Sequence, residues 1–189
     1  GLKVDYYYPS ANNVARETLA KMTPVETGIA TQITINVPQR KQADKFALRF
    51  SGSLYIPKAG RYTLFANSDD GSRIYIGDRM VVNNDGLHGM VEKSGSIDLP
   101  AGSHPITVTY FDNGGGDGLQ VRWAGPGFQK QAIPLDRLTV QGGETLHDVC
   151  PSNLRPWEPK GSTGSGKVGW GVRVFAMQSA ADCEDSSSR

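Results

Sequence analysis

Apolar and polar residues alternate along most of the chain with a period of two, the signature of half-buried β-strands. From residue 31, "TQITINV" is rich in β-formers, and "FALRFSGSLYI" puts Phe46, Leu48 and Phe50 on one face with Leu54 and Ile56 beyond. "RYTLFA" alternates Tyr62, Leu64 and Ala66, and "RIYI", "RMVV" and "GSIDL" follow. "HPITVTYF" and "GLQVRW" complete the series, with Ile106, Val108, Tyr110, Leu119, Val121 and Trp123 in phase. The breakers between these runs are turn formers: "PKAG", "SDDG", "IGD", "NNDGLHG", "LPAG", "NGGGDG" and "AGPG". Strands at intervals of roughly 8–12 residues with no room for helical crossovers predict an all-β antiparallel sandwich or barrel. Trp123 alternates with Leu119 and Val121 and is read as core.

Two segments depart from this pattern. "NNVARETLAKM" spaces Val14, Leu19 and Met22 roughly along one side behind Asn12 or Asn13 as a cap, which predicts a short peripheral helix. After "LDRLTV" the composition turns to Gly, Pro and Ser, the mark of a linker. "VGWGVRVFA" then restores alternation, so a strand over 168–176 is expected to return to an edge of the domain. The division expected is therefore a domain over 1–141 and an extension over 142–189.

The chain has 189 residues, enough for one ordinary hydrophobic core plus an appendage. Its 20 Lys and Arg balance 19 Asp and Glu without a basic stripe, which argues against nucleic acid and anionic membrane as partners. No apolar run approaches the roughly 20 residues of a bilayer span, and "GLKVDYYYPS" lacks the apolar region of a signal peptide. Cys150 and Cys183 are the two cysteines, and their spacing fits no zinc motif. They are read as a disulfide tethering the extension in an oxidising, extracellular compartment, the alternative being two unrelated thiols.

The order of the motifs is more specific than "all-β". "FSGSLYIPKAGRYTLFANSDDGSRIYIGDRMVVNNDGLHG", then "GSIDLPAGSHPITVTYFDNGGGDGLQVRWAGPG", then "AIPLDRL" together resemble the PA14 domain over most of residues 1–140. The resemblance implies a barrel-like β-sandwich of two antiparallel sheets. PA14 domains occur in secreted glycosidases, adhesins, toxins and other cell-surface proteins. In the sugar-binding adhesin branch, two adjacent Asp residues joined by a cis peptide chelate Ca2+ and a second loop supplies further oxygens. Here Asp69 and Asp70 of "NSDDGSR" occupy the first position, and "FDNGGGDGLQ", with Asp112, Asn113 and Asp117, occupies the second; Asn113 and Asp117 are the residues that would supply the further side-chain oxygen.

Elementary chemistry agrees with that transfer, because Ca2+ takes 6–8 oxygen ligands at about 2.3–2.6 Å in irregular geometry. Carboxylates on successive residues of an extended strand point to opposite faces, and a cis bond brings both to one side. The plain alternative is an Asx turn at "SDDG" and an ordinary hairpin loop at "NGGGDG". His88 in "NNDGLHG" is carried as a ligand-contact candidate, beside the plainer reading that its ring holds its own loop. His104 and His147 are too scattered for a zinc site.

Catalysis is not expected. Glycoside hydrolysis needs two carboxylates about 5–10 Å apart across a cleft, whereas Asp69 and Asp70 are adjacent. There is no nucleophile elbow, and the glycine-rich loop lacks the Lys and Ser or Thr of a phosphate loop. The expected function is a secreted or cell-surface, Ca2+-dependent carbohydrate-binding module serving adhesion, with a glycan as partner. The second expectation is a structural module binding a cell-surface protein in an extracellular assembly.

Overall fold

The computed structural model describes residues 1–8 and 16–140, and the account that follows concerns those. The expected extension over 142–189 with its strand at 168–176, the Cys150–Cys183 pairing and residues 12–15 of the expected helix lie outside the described residues.

The strands in chain order are β1 (Leu2–Tyr7), β2 (Glu26–Ala30), β3 (Ala47–Ile56), β4 (Gly60–Asp69), β5 (Ser72–Ile76), β6 (Arg79–Asn84), β7 (Val91–Leu99), β8 (Gly102–Phe111), β9 (Gly118–Gly125), β10 (Phe128–Ala132) and β11 (Leu138–Thr139). Every pairing is antiparallel. One sheet runs β2-β1-β3-β8-β5-β6, with β11 continuing the β1 edge of β3, and the other runs β10-β9-β4-β7. This is the two-sheet sandwich that the alternation calls for.

The core fills the space between the sheets. Phe50, Leu54, Ile74, Val108 and Tyr110 come from the larger sheet and Tyr62, Leu64, Ala66, Leu119 and Trp123 from the smaller. Trp123 is 2% exposed and lies among the rings of Tyr62 and Phe128, at centroid distances of 5.6 and 4.8 Å. On the outer face of the larger sheet, Tyr7, Ala47 and Phe111 pack against Leu19 of the short helix α1 (Arg16–Ala20). Tyr6 and Tyr7 are therefore both buried although they point to opposite faces, and Tyr8 is the exposed member of the triplet.

The strand expected over residues 31–37 does not form. Val37 donates to Ile35 O at 3.0 Å and Asn36 N to Thr34 Oγ1 at 3.4 Å, so the segment bonds within itself instead of joining a ladder. Pro38 follows at once and offers no N–H to a partner strand. Ile35 and Val37 are nonetheless buried in the main core, which explains why their alternation reads as a strand.

Two connections position the functional end. The chain passes from the smaller sheet to the larger between β4 and β5, at Asp70 and Gly71. Beside this crossing, the Ser68 and Ser72 hydroxyls meet at 2.7 Å, and the buried Asn84 amide donates to Ser68 Oγ at 3.0 Å and Val91 O at 2.8 Å. The ends of β4, β5, β6 and β7 are thus tied by one buried polar knot. On the flank where β6 and β7 meet, a Cβ at Gly95 would lie 1.8 Å from Val81 O, so glycine lets the two sheets approach backbone to backbone.

Candidate metal and ligand site

Three loops converge at the crossing: the turn Asp69–Gly71, the loop over 85–90 between β6 and β7, and the glycine-rich loop over 112–117 between β8 and β9. The peptide bond between Asp69 and Asp70 is cis. Gly71 sits where no side chain fits, since a Cβ would meet Phe111 Cε1 at 2.4 Å and Asp85 Oδ1 and Gly86 N at 2.9 Å.

Asp70 is the organiser of this end. It is 7% exposed, and its Oδ1 accepts the main-chain N–H of His88 at 3.1 Å while its Oδ2 accepts that of Asn113 at 2.9 Å. One buried carboxylate therefore fixes both flanking loops. Asp69 is more open, and its carboxylate accepts no hydrogen bond among the described residues. It lies against the glycine-rich loop, because a Cβ on Gly116 would come within 2.7 Å of Asp69 Oδ2. Desolvation, then the charges of Asp70 and Asp117, raise the Asp69 carboxyl above its ordinary value, partly opposed by His88. An unneutralised carboxylate held beside two others is poised to accept a cation.

The glycine-rich loop is braced from below. Tyr110 donates its hydroxyl to Asp69 O at 2.6 Å, joining the loop's base to the turn. Asp112, fully buried, accepts the Lys45 main-chain N–H at 2.9 Å. Burial pushes its carboxyl up, while the N–H groups of Lys45 and Gly114 hold it down; it supports the loop and does not face the turn's surface. Asp117 is ion-paired to Arg40, whose guanidinium also donates to Gln42 O and Ala43 O and lies over the Phe46 ring. Asn113 and Gly114–Gly116 are exposed, with positive φ at Gly114 and Gly115.

The His88 ring faces its own loop, with Nδ1 at 2.8 Å from Gly89 O and Nε2 at 3.0 Å from Asn84 O, while its backbone N–H serves Asp70. Asp85 pairs with Arg73 at 2.5 Å, pinning the same loop to β5. His104 contacts Pro100 O at 2.9 Å, away from the turn.

Asp69, Asp70 and Asn113 are thus brought together, and Asp117 stands near enough to act on Asp69 while Arg40 holds it. Among the described residues no three His, Cys, Asp or Glu side chains form a ready-made metal cage. The candidate donors at the turn are all oxygen: the carboxylates of Asp69 and Asp70, with the Asn113 side chain and main-chain carbonyls of the adjoining glycine-rich loop as the groups that could complete them. That set suits a hard cation and not zinc. Asn84 was legible as part of "NNDGLHG", whereas Arg40 and the bracing role of the Tyr110 hydroxyl escaped the sequence reading. Tyr110 sits in an ordinary strand position and Arg40 in an unpatterned polar stretch, so no local signal marks them.

A family model described as the PA14 domain matches residues 1–137. No curated protein matches. Among solved structures, the PA14 sugar-binding domain from an RTX adhesin is 20% identical, with a TM-score of 0.64, over 74% of this chain and 98% of that one. The PA14 domain of an antifreeze protein is 19% identical, with a TM-score of 0.64, over 75% of this chain and 91% of that one. An anti-sigma factor domain-containing protein is 21% identical, with a TM-score of 0.63 over 77% of this chain, which spans only 50% of its length. The two-sheet antiparallel architecture agrees with the match over residues 1–137, and the chain belongs to the PA14 domain family.

Proposed function

We propose that this domain is a non-catalytic, Ca2+-dependent carbohydrate-binding module working outside the cell. The observation that carries the reading is the Asp69 carboxylate, without a hydrogen-bond donor among the described residues, set between Asp70 and the exposed backbone of the glycine-rich loop. Asp69, Asp70, the Asn113 side chain and carbonyls of that loop would hold the ion, and Asp117, paired to Arg40, adds negative charge nearby. A bound Ca2+ supplies open coordination positions that vicinal sugar hydroxyls can fill. The protein's own part is to fix the loops, through Asp70, and to keep the ion at an exposed rim where a glycan can reach it. Support also comes from the sugar-binding title of the RTX adhesin domain and from the Epithelial Adhesin 6 A domain of Candida glabrata, solved with Galβ1-3GlcNAc; the latter is 13% identical with a TM-score of 0.55.

Calcium titration of the metal-free protein by calorimetry tests this. One site is expected, lost in Asp69→Ala/Asp70→Ala. At Ca2+ a hundredfold above Kd, folding gains about 2.7 kcal/mol, a rise in Tm of roughly 5–10 °C for a domain of this size. No heat and no shift in Tm with the unsubstituted protein would refute the proposal. A calcium site with no glycan bound on an array, and a cell-surface protein captured instead, would favour the structural module.

A further inference from the structure

The loop over 85–90 displays apolar side chains that the sandwich does not use. Leu87 is 58% exposed and Met90 47%, although the backbone carrying them is held on all sides. Asp85 is paired to Arg73, the His88 N–H to Asp70, the His88 ring to the carbonyls of Asn84 and Gly89, and the Asn84 amide to Val91 O.

Met90 is aimed at the candidate site. A Cβ on Gly118 would lie 2.3 Å from Met90 Cε and 3.7 Å from its Sδ, so the thioether occupies the space of a missing Gly118 side chain. Gly118 is the register partner of Asp69. Side chains of directly opposed residues share one face of a sheet with Cβ atoms about 4.5–5.5 Å apart. The Met90 methyl therefore lies on the same face as the Asp69 carboxylate and beside it, with Gly116 on the carboxylate. Leu87 immediately precedes His88, whose N–H is bonded to Asp70. The rim thus pairs a charged, oxygen-rich floor with an apolar wall within one residue's reach.

We propose that Met90, with Leu87 on the same loop, makes the site selective for saccharides that carry a methyl group next to their vicinal hydroxyls, over fully hydroxylated counterparts. The inference rests on the calcium–carbohydrate reading above and names its ligand class. Methyl groups reach sugars from two sources, a 6-deoxy carbon and an N-acetyl substituent, and both present the same chemistry to a thioether. Hydroxyls bind the ion in either case, so the wall adds discrimination without being needed for chelation. Met is suited to the task because its flexible, polarisable side chain adapts to an irregular apolar partner.

The test measures Kd in saturating Ca2+ for two matched pairs: L-fucose against L-galactose, which differ only at C6, and N-acetylglucosamine against glucose. The methyl-bearing member of at least one pair is expected to bind about fourfold tighter, the worth of one methyl-sized group taken from water. Which pair shows it identifies the source of the methyl. In Met90→Gln and Leu87→Gln the ratio should fall toward one, with calcium affinity and Tm unchanged, and Met90→Leu should restore it. In protein labelled with 13C at the methionine methyls, the resonance absent from the Met90→Leu spectrum should move on adding the preferred sugar. Equal affinities within both pairs, or ratios unaltered by the Gln variants, would overturn this inference while leaving the calcium-dependent reading intact. Calcium binding without any sugar binding would overturn both.

Discussion

Asp69 and Asp70 are neighbours in sequence with opposite tasks, and substitution should separate them. Asp70 is buried and satisfies two main-chain donors, so Asp70→Ala leaves the N–H groups of His88 and Asn113 without their acceptor. In EDTA that should cost about 2–4 kcal/mol in urea denaturation. Asp69 makes no such bond, and its folded-state pKa is raised by burial first and by neighbouring charge second. A raised carboxylate favours folding only below its unfolded value of about 3.9, and the contribution is lost as pH rises through the folded value. At pH 7 without metal, Asp69→Asn should therefore be at least as stable as the parent. In Ca2+ the order reverses, because Asp69→Asn forfeits the stabilisation by the ion. A destabilised Asp69→Asn in EDTA would contradict the assignment of roles.

Among elements, the loops that shape the site rely on backbone approach more than on side chains. Gly71→Ala places a methyl into Phe111, Asp85 and Gly86 at once. It should cost about 1–3 kcal/mol by thermal or chemical melting and weaken calcium binding through displacement of the 85–90 loop. The strands around these loops were legible in the sequence because a two-residue period survives wherever one face is buried, as in β4, where Tyr62, Leu64, Ala66 and Ser68 face inward. The same period misled at residues 31–37, where Ile35 and Val37 enter the core from an unpaired segment. The Asp69–Asp70 turn and the glycine-rich loop stood out by motif. What the motif could not convey was partnership across the chain: Arg40 reaching Asp117 over 77 positions, or Tyr110 reaching Asp69 over 41. Contacts of that separation exist only once the sheets are stacked.

For the whole molecule, one shared core holds both sheets, and Trp123 stands at its aromatic centre. Trp123→Ala should lower global stability by about 3–5 kcal/mol, with calcium affinity and fold lost in a single transition because the site is assembled from both sheets. A variant that unfolded one sheet before the other in calorimetry would refute this cooperativity. The extracellular reading makes a further demand on Cys150 and Cys183: protein recovered from an oxidising compartment should show no thiol on denaturation without reductant and two after reduction, and two thiols beforehand would refute the disulfide in favour of two unrelated thiols.

The crossing from β4 to β5 also has a mechanical meaning. The turn at Asp70 and Gly71 hangs from one strand of each sheet, so a pull on anything gripped there divides between β4, flanked by β7 and β9, and β5, flanked by β6 and β8. Both strands are loaded along their length, across ladder bonds that run perpendicular to the force. Such bonds yield together in shear instead of opening one after another like a zip. A tether anchored at this turn and pulled along these strands would therefore load both sheets in shear.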